Sequence, residues 1–166
     1  MDKIYQSLFD VLTEEENLYS KLMELAIEKK DAIVANDLES LTELLQNDTE
    51  TIELLNQLDE QRAKLTKEIC VNNDIQVQDI SFKELIKFLP ESWQENLWDI
   101  RNKLIAIIDE LHQQNEQNKF LVNEAIKLNN ASLNLFLQAL EPENTTYNGK
   151  QKTVDKKSAH IIDRRG

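Results

Sequence analysis

No glycine occurs before Gly149, and only Pro90 interrupts the chain ahead of Pro142. Glycine takes positive φ without steric cost and proline ends helices, so their absence removes the usual means of turning a chain. The intervening sequence is rich in Leu, Glu, Lys, Gln and Asn, and this combination predicts a few unusually long helices. Catalytic pockets draw on loops, and little of this chain is left for loops. The expectation is a surface that holds another protein.

At 166 residues the chain is long enough to bury a core without metals or disulfides. Its formal charge of −12 argues against nucleic acid and against an anionic membrane surface, both of which select basic faces. Cys70 is the only cysteine, which excludes an internal disulfide and fits a reducing compartment. The start, Met1 to Gln6, has no apolar stretch of signal-peptide length. The longest purely apolar run, Leu104 to Ile108, is far short of the roughly 20 residues of a membrane span. A soluble, cytoplasmic protein without membrane insertion is expected. Residues 144–166 hold six basic residues against two acidic ones, a net of +4, which leaves −16 on the rest. The composition therefore breaks near Pro142, giving a helical domain over 1–141 and a flexible basic tail over 142–166.

Along the first segment, from Asp2 to about Val34, Ile4, Leu8, Val11, Leu18, Leu22 and Leu25 recur in alternating steps of four and three, with Glu15 in the one polar slot. Asn36-Asp37-Leu38-Glu39 is a start signal, and either Asn36 or Asp37 can cap. So short a connection implies antiparallel neighbours. The second helix runs to about Cys70, with Leu41, Leu45, Ile52, Leu55, Leu58, Leu65 and Ile69 on its core face. Asn72-Asn73-Asp74 breaks the pattern. Ser81-Phe82-Lys83-Glu84 is a capping box, with Ile80 and Leu85 placed to staple it. The short third helix ends before Pro90 and is apolar enough to plug one end of a bundle. The fourth starts between Pro90 and Ser92, with Ser92 and Glu95 offering a second box, and has no stop before Glu141-Pro142.

The expected fold is all-α: an antiparallel bundle of three long helices and one short one, the last overhanging. At 1.5 Å per residue the fourth helix reaches ~75 Å and the first ~50 Å. The first half of the fourth helix carries a core stripe of Trp93, Leu97, Ile100, Leu104, Ile107, Ile108 and Leu111. Polar residues take over from His112 to Asn118, and apolar ones resume at Phe120. Leu121, Val122, Ala125, Ile126, Leu128, Leu133, Phe136, Leu137 and Leu140 are the candidate binding residues, because a large uncovered apolar patch marks a partner site. An amphipathic helix of a client is the favoured occupant. The alternatives are a second copy of the chain, joined through the same late-helix surface, and ordinary core. Of the polar residues in the helical seams, Glu15, Asp48, Asn115, Asn118 and Asn129 are expected at seam edges with their heads in water. Arg62 is expected to pack its stem across a helix interface.

Nothing points to catalysis or to a cofactor. His112 and His160 are the only histidines, and Asp109 with His112 makes one imperfect pair where a di-metal bundle needs two Glu-x-x-His pairs. Cys70 has no histidine near it in sequence, and no glycine-rich phosphate loop precedes Gly149.

The chain resembles the FlgN-type flagellar export chaperones. The resemblance rests on the leucine-spaced first helix, Asn36-Asp37-Leu38-Glu39-Ser40-Leu41, the stretch from Leu54-Leu55 to Arg62 and the asparagine-bearing late helix. It continues through Thr146-Tyr147-Asn148-Gly149-Lys150 and Ile161-Ile162-Asp163-Arg164-Arg165. It implies a cytoplasmic chaperone of the flagellar type III export system. Such proteins bind the C-terminal helical region of the hook-filament junction proteins FlgK and FlgL, prevent premature assembly and deliver them to the export gate. Carried over, the late fourth helix would be the client face and Tyr147 the residue docking to the gate component. The basic end after Gly149 is longer than the family pattern.

Overall fold

The computed structural model describes residues 2–75 and 81–140. They form α1 (Asp2–Ala35), α2 (Leu38–Asn72), α3 (Phe82–Lys87) and α4 (Glu91–Leu140), with no strand among the described residues. By its packing the chain divides into two units, the first ending at Asn130. The described part of the second is residues 131–140, the last turns of α4.

Two turns that would ordinarily take glycine take other residues. Asn36 has φ 56° and Asp74 has φ 53°. After α1, the Asp37 N–H donates to the Ala32 carbonyl at 2.9 Å and the Asn36 N–H to that of Ile33 at 3.1 Å. After α2, the Ile75 N–H donates to Cys70 at 2.9 Å and the Asp74 N–H to Val71 at 3.3 Å. Each is the two-bond closure that satisfies a helix's last carbonyls with one left-handed residue. Asn and Asp are the residues best able to replace glycine there. Asp37 is also the N-cap of α2, its Oδ1 accepting from the Ser40 N–H at 3.1 Å.

The Ser81 box forms as expected: Glu84 Oε2 accepts from the Ser81 N–H at 3.0 Å, and Ser81 Oγ accepts from the Glu84 N–H at 3.3 Å. Ile80, the expected staple, lies outside the described residues. Ser92 does not cap α4. The helix starts at Glu91, and the Pro90 carbonyl already accepts from the Gln94 N–H at 3.2 Å, which puts Ser92 inside the first turn.

Packing follows from the seams. Leu85, Ile86 and Leu89, from α3 and the turn after it, are buried in one cluster with Tyr5, Leu8 and Leu12 of α1, Ile69 and Cys70 of α2, and Leu97, Ile100 and Leu104 of α4. The short helix therefore does plug this end. A second cluster joins Leu18, Leu22, Leu25 and Ala32 to Leu44 and Leu55, so α1 and α2 run antiparallel. Tyr5 lies 6.2 Å from Trp93, ring centroid to centroid, and Asn118 reaches the Ala26 carbonyl, so α4 runs parallel to α1. The core face of α2 is shifted from the expected one. Leu45 and Ile52 are about half exposed, whereas Leu44 and Thr51 are buried. The seam that repeats in steps of three and four is Leu41, Leu44, Asp48, Thr51, Leu55, Leu58, Arg62, Leu65 and Ile69. Thr51 is accommodated there because its Oγ1 donates to the Asn47 carbonyl at 2.8 Å.

Candidate functional site

Glu15, Asp48 and Asn118 depart from the seam-edge expectation, and so sharpen where the covered part of the molecule ends. Glu15 is 5 % exposed and accepts from Arg62 Nε at 3.0 Å, while Arg62 also bonds Asp59. Asp48 accepts from Lys29 Nζ at 2.6 Å, and Lys29 is itself buried. Arg62 crosses the interface as expected. Burial pushes the Glu15 carboxyl above its usual range, and the Arg62 guanidinium only partly offsets this. Burial also raises the Tyr19 hydroxyl, with the Glu15 charge adding to it. Asn115 and Asn129 are exposed, as expected. Lys29 carries no sequence signal for burial. A lysine in an apolar slot reads as surface unless a carboxylate is matched to it across the turn.

On α4 the buried face passes through Leu97, Ile100 and Leu104 and continues with half-buried Ile107, Leu111 and Gln114 to buried Asn118. Ile108, expected in this stripe, is exposed because it falls one step off the three-four repeat. Asn118 Nδ2 donates to the Ala26 carbonyl at 2.7 Å, and its Oδ1 accepts from Gln114 Nε2 at 3.1 Å. The polar run that interrupts the apolar pattern of α4 thus contributes a fully bonded contact to α1.

Beyond Asn118 the candidate residues part company. Leu121 and Ala125 are half-buried, and Val122, Ala125 and Ile126 line a cavity of about 130 Å³ with Ile33, Leu38 and Leu41 around the α1–α2 turn. Leu128 is exposed. In the second unit, Leu133, Phe136, Leu137 and Leu140 are all exposed. From Ile126 to Leu140 the exposure of large apolar residues runs from 52 % to 67 %. Phe120 and Leu135, outside the candidate set, are exposed to the same degree. Hydrophobicity alone is the signal that selects the candidate residues. A second property of this stretch is equally visible in the sequence: Leu128 to Leu140 contains no charged residue, in a chain where 30 % of residues are charged. Tyr147 and the basic tail lie outside the described residues.

No group of His, Cys, Asp or Glu among the described residues could hold a metal ion. Cys70 is fully buried, and desolvation raises its thiol above the ordinary range, the reverse of an activated nucleophile. No helix among the described residues is long and apolar enough to cross a membrane.

The chain matches the model of one family, described as FlgN protein, over residues 1–155. It belongs to the FlgN family. That family is one of flagellar export chaperones, and the match spans all of α1 to α4 together with Tyr147. No curated protein and no solved structure matches this FlgN-family chain.

Proposed function

We propose that this FlgN-family protein is a cytoplasmic, non-enzymatic export chaperone that binds the C-terminal helical region of hook-filament junction proteins of the FlgK and FlgL type. The observation that carries the reading is the row of exposed, uncharged apolar residues at the end of α4, from Ile126 to Leu140. Apolar surface of this extent is characteristic of a site awaiting a partner. A client helix that polymerises through its own apolar face buries that face against Leu133, Phe136, Leu137 and Leu140, with Leu121, Val122, Ala125, Ile126 and Leu128 extending the contact. Holding that face prevents premature assembly until the subunit is released at the export gate. Tyr147 is the proposed contact to the gate component, in a tail of residues 142–166 that follows a helical domain of residues 1–141. Co-purification with junction subunits tests the client assignment: a complex is expected with the intact chain and none after deletion of residues 121–140. A complex unaffected by that deletion contradicts it.

The same exposed row also supports self-association of a structural adaptor through late α4. Its mass in solution decides: a monomer that forms a complex only when a junction subunit is added supports the chaperone, and a dimer indifferent to the subunit supports the adaptor.

A further inference from the structure

The seam between α1 and α2 is built from matched levels. Leu8 and Ile69 lie together in one buried cluster. Seven residues on along α1, and seven back along α2, Glu15 binds Arg62. The next level is Leu22 and Leu55, buried together in the second cluster. The level after that is Lys29 bound to Asp48. Apolar and charged levels therefore alternate, and the two charged levels have opposite polarity: the acid is on α1 in one and on α2 in the other.

This alternation discriminates among all nearby pairings of the hairpin. A slip of one heptad in either direction sets Glu15 opposite Leu55 or Ile69, and Lys29 opposite Leu41 or Leu55. Buried Glu15 and Lys29 would then each lose their partner, and Arg62 would keep only Asp59 of its own helix; a buried charge left unpaired is far costlier than one buried paired. A slip of two heptads sets Glu15 opposite Asp48 in one direction and Lys29 opposite Arg62 in the other, like charge against like. An all-leucine seam would accept each of these registers, because a heptad repeat is indifferent to shifts of seven. The raised Glu15 carboxyl fits this role, since its burial opposes ionisation even with Arg62 beside it.

We propose that Glu15–Arg62 and Lys29–Asp48 are register pins of the α1–α2 hairpin, positioning residues that fix how far the hairpin runs alongside α4. Asn118, bonded to the Ala26 carbonyl, holds α4 to α1. With α1 so held, the hairpin's register decides where its turn falls. Ile33, Asn36 and Leu38 at that turn border the cavity shared with Val122 and Ile126. A one-heptad slip moves the turn by half a heptad, about 5 Å along α1. That distance is one helical turn of α4 covered or stripped. The consequence for a client rests on the proposed function above, whereas the register itself does not.

The test uses the full chain with Cys70→Ala and spin labels on cysteines introduced at the exposed positions Glu24 and Glu53, which share one level. With the native seam, one narrow distance is expected. The variant Glu15→Leu/Lys29→Leu/Asp48→Leu/Arg62→Leu is expected to be at least as heat-resistant and to show a second distance, displaced by about 10 Å along the helix axis. A single unchanged distance in that variant overturns the proposal. Should it fail to fold, the exchange Glu15→Arg/Arg62→Glu decides: it is expected to restore the single distance lost in Glu15→Arg alone, and an exchange as heterogeneous as the single change overturns the proposal. Each of these distances is read without any client, so the outcome is separate from that of the client reading.

Discussion

From Leu8 to Lys29 on α1, and back from Ile69 to Asp48 on α2, apolar residues at three-four spacing meet partners, and the charges among them are paired. From Ile126 to Leu140 on α4 apolar residues are as frequent, yet none is buried, and from Leu128 to Leu140 the helix carries no charged residue. Fully burying a leucine stabilises a fold by roughly 1.5–3 kcal/mol, so the first region accounts for stability and the second contributes little of it. The contrast separates a core face from an uncovered apolar face in a helix. In the seam, charged residues occupy core positions and restrict which pairing is allowed. At the end of α4, the absence of charge leaves a face that any suitably apolar helix can meet without burying an unpaired ion.

The largest expected effect separates the two regions by stability. Leu8→Ala, at a fully buried position of the seam, should cost about 2–5 kcal/mol in a denaturant titration, whereas Leu137→Ala should stay within about 0.5 kcal/mol. Comparable losses at both sites would mean that the end of α4 is core. A smaller effect is expected at the cap of α3: Ser81→Ala removes the acceptor for the Glu84 N–H and should lower stability by about 1 kcal/mol in the same titration. Asn36→Gly should act in the opposite sense, raising the thermal midpoint by up to the equivalent of about 1 kcal/mol, because glycine meets φ 56° with less strain. A fall in the midpoint would show that the asparagine side chain itself holds the turn.

The pH dependence is the smallest effect, and the two regions of charge give it opposite signs. Ser81 hydrogen bonds lower the Glu84 carboxyl, and Ser40 hydrogen bonds lower that of Asp37. Their stabilisation is present above the unfolded pKa values, near 4, and is lost as pH falls through the lower folded values. Glu15 is raised in the folded chain, so its contribution is fully present below its unfolded pKa and is lost as pH rises through the folded value. Glu15 faces Arg62 and Asp59 of α2 and Tyr19 of its own helix, and Glu15, Tyr19 and Arg62 line a cavity together with Arg101 of α4. Between pH 7 and 4 the native chain should therefore gain thermal stability relative to Glu15→Gln and lose it relative to Glu84→Gln. Parallel curves for Glu15→Gln and the native chain would contradict the first half.

The long helices, their order and the capping box at Ser81 were legible because each rests on local chemistry: periodicity, caps and the scarcity of Gly and Pro. The shifted face of α2 was not. Leu45 and Ile52 are apolar but flank the seam, while the true seam positions Asp48, Thr51 and Arg62 are polar, so counting hydrophobic residues chose the wrong row. Lys29 and Glu15 become recognisable as buried, and Asp48 as half-buried, only when α1 and α2 are laid side by side, since each is explained by a residue on the other helix. The end of α4 was legible for the same reason that it is exposed. Its pattern makes sense without reference to any other part of the chain.

Calorimetry decides whether the end of α4 holds the client. The C-terminal helical region of a hook-filament junction protein is titrated into the intact chain and into Leu133→Ser/Phe136→Ser/Leu137→Ser/Leu140→Ser. Helix content by circular dichroism should remain high in the variant, because these side chains are exposed in the free chain. Binding is expected for the intact chain, with a loss of about 100-fold or more in the variant, as for removal of a cluster of apolar anchors. Equal affinity for the two chains would contradict it.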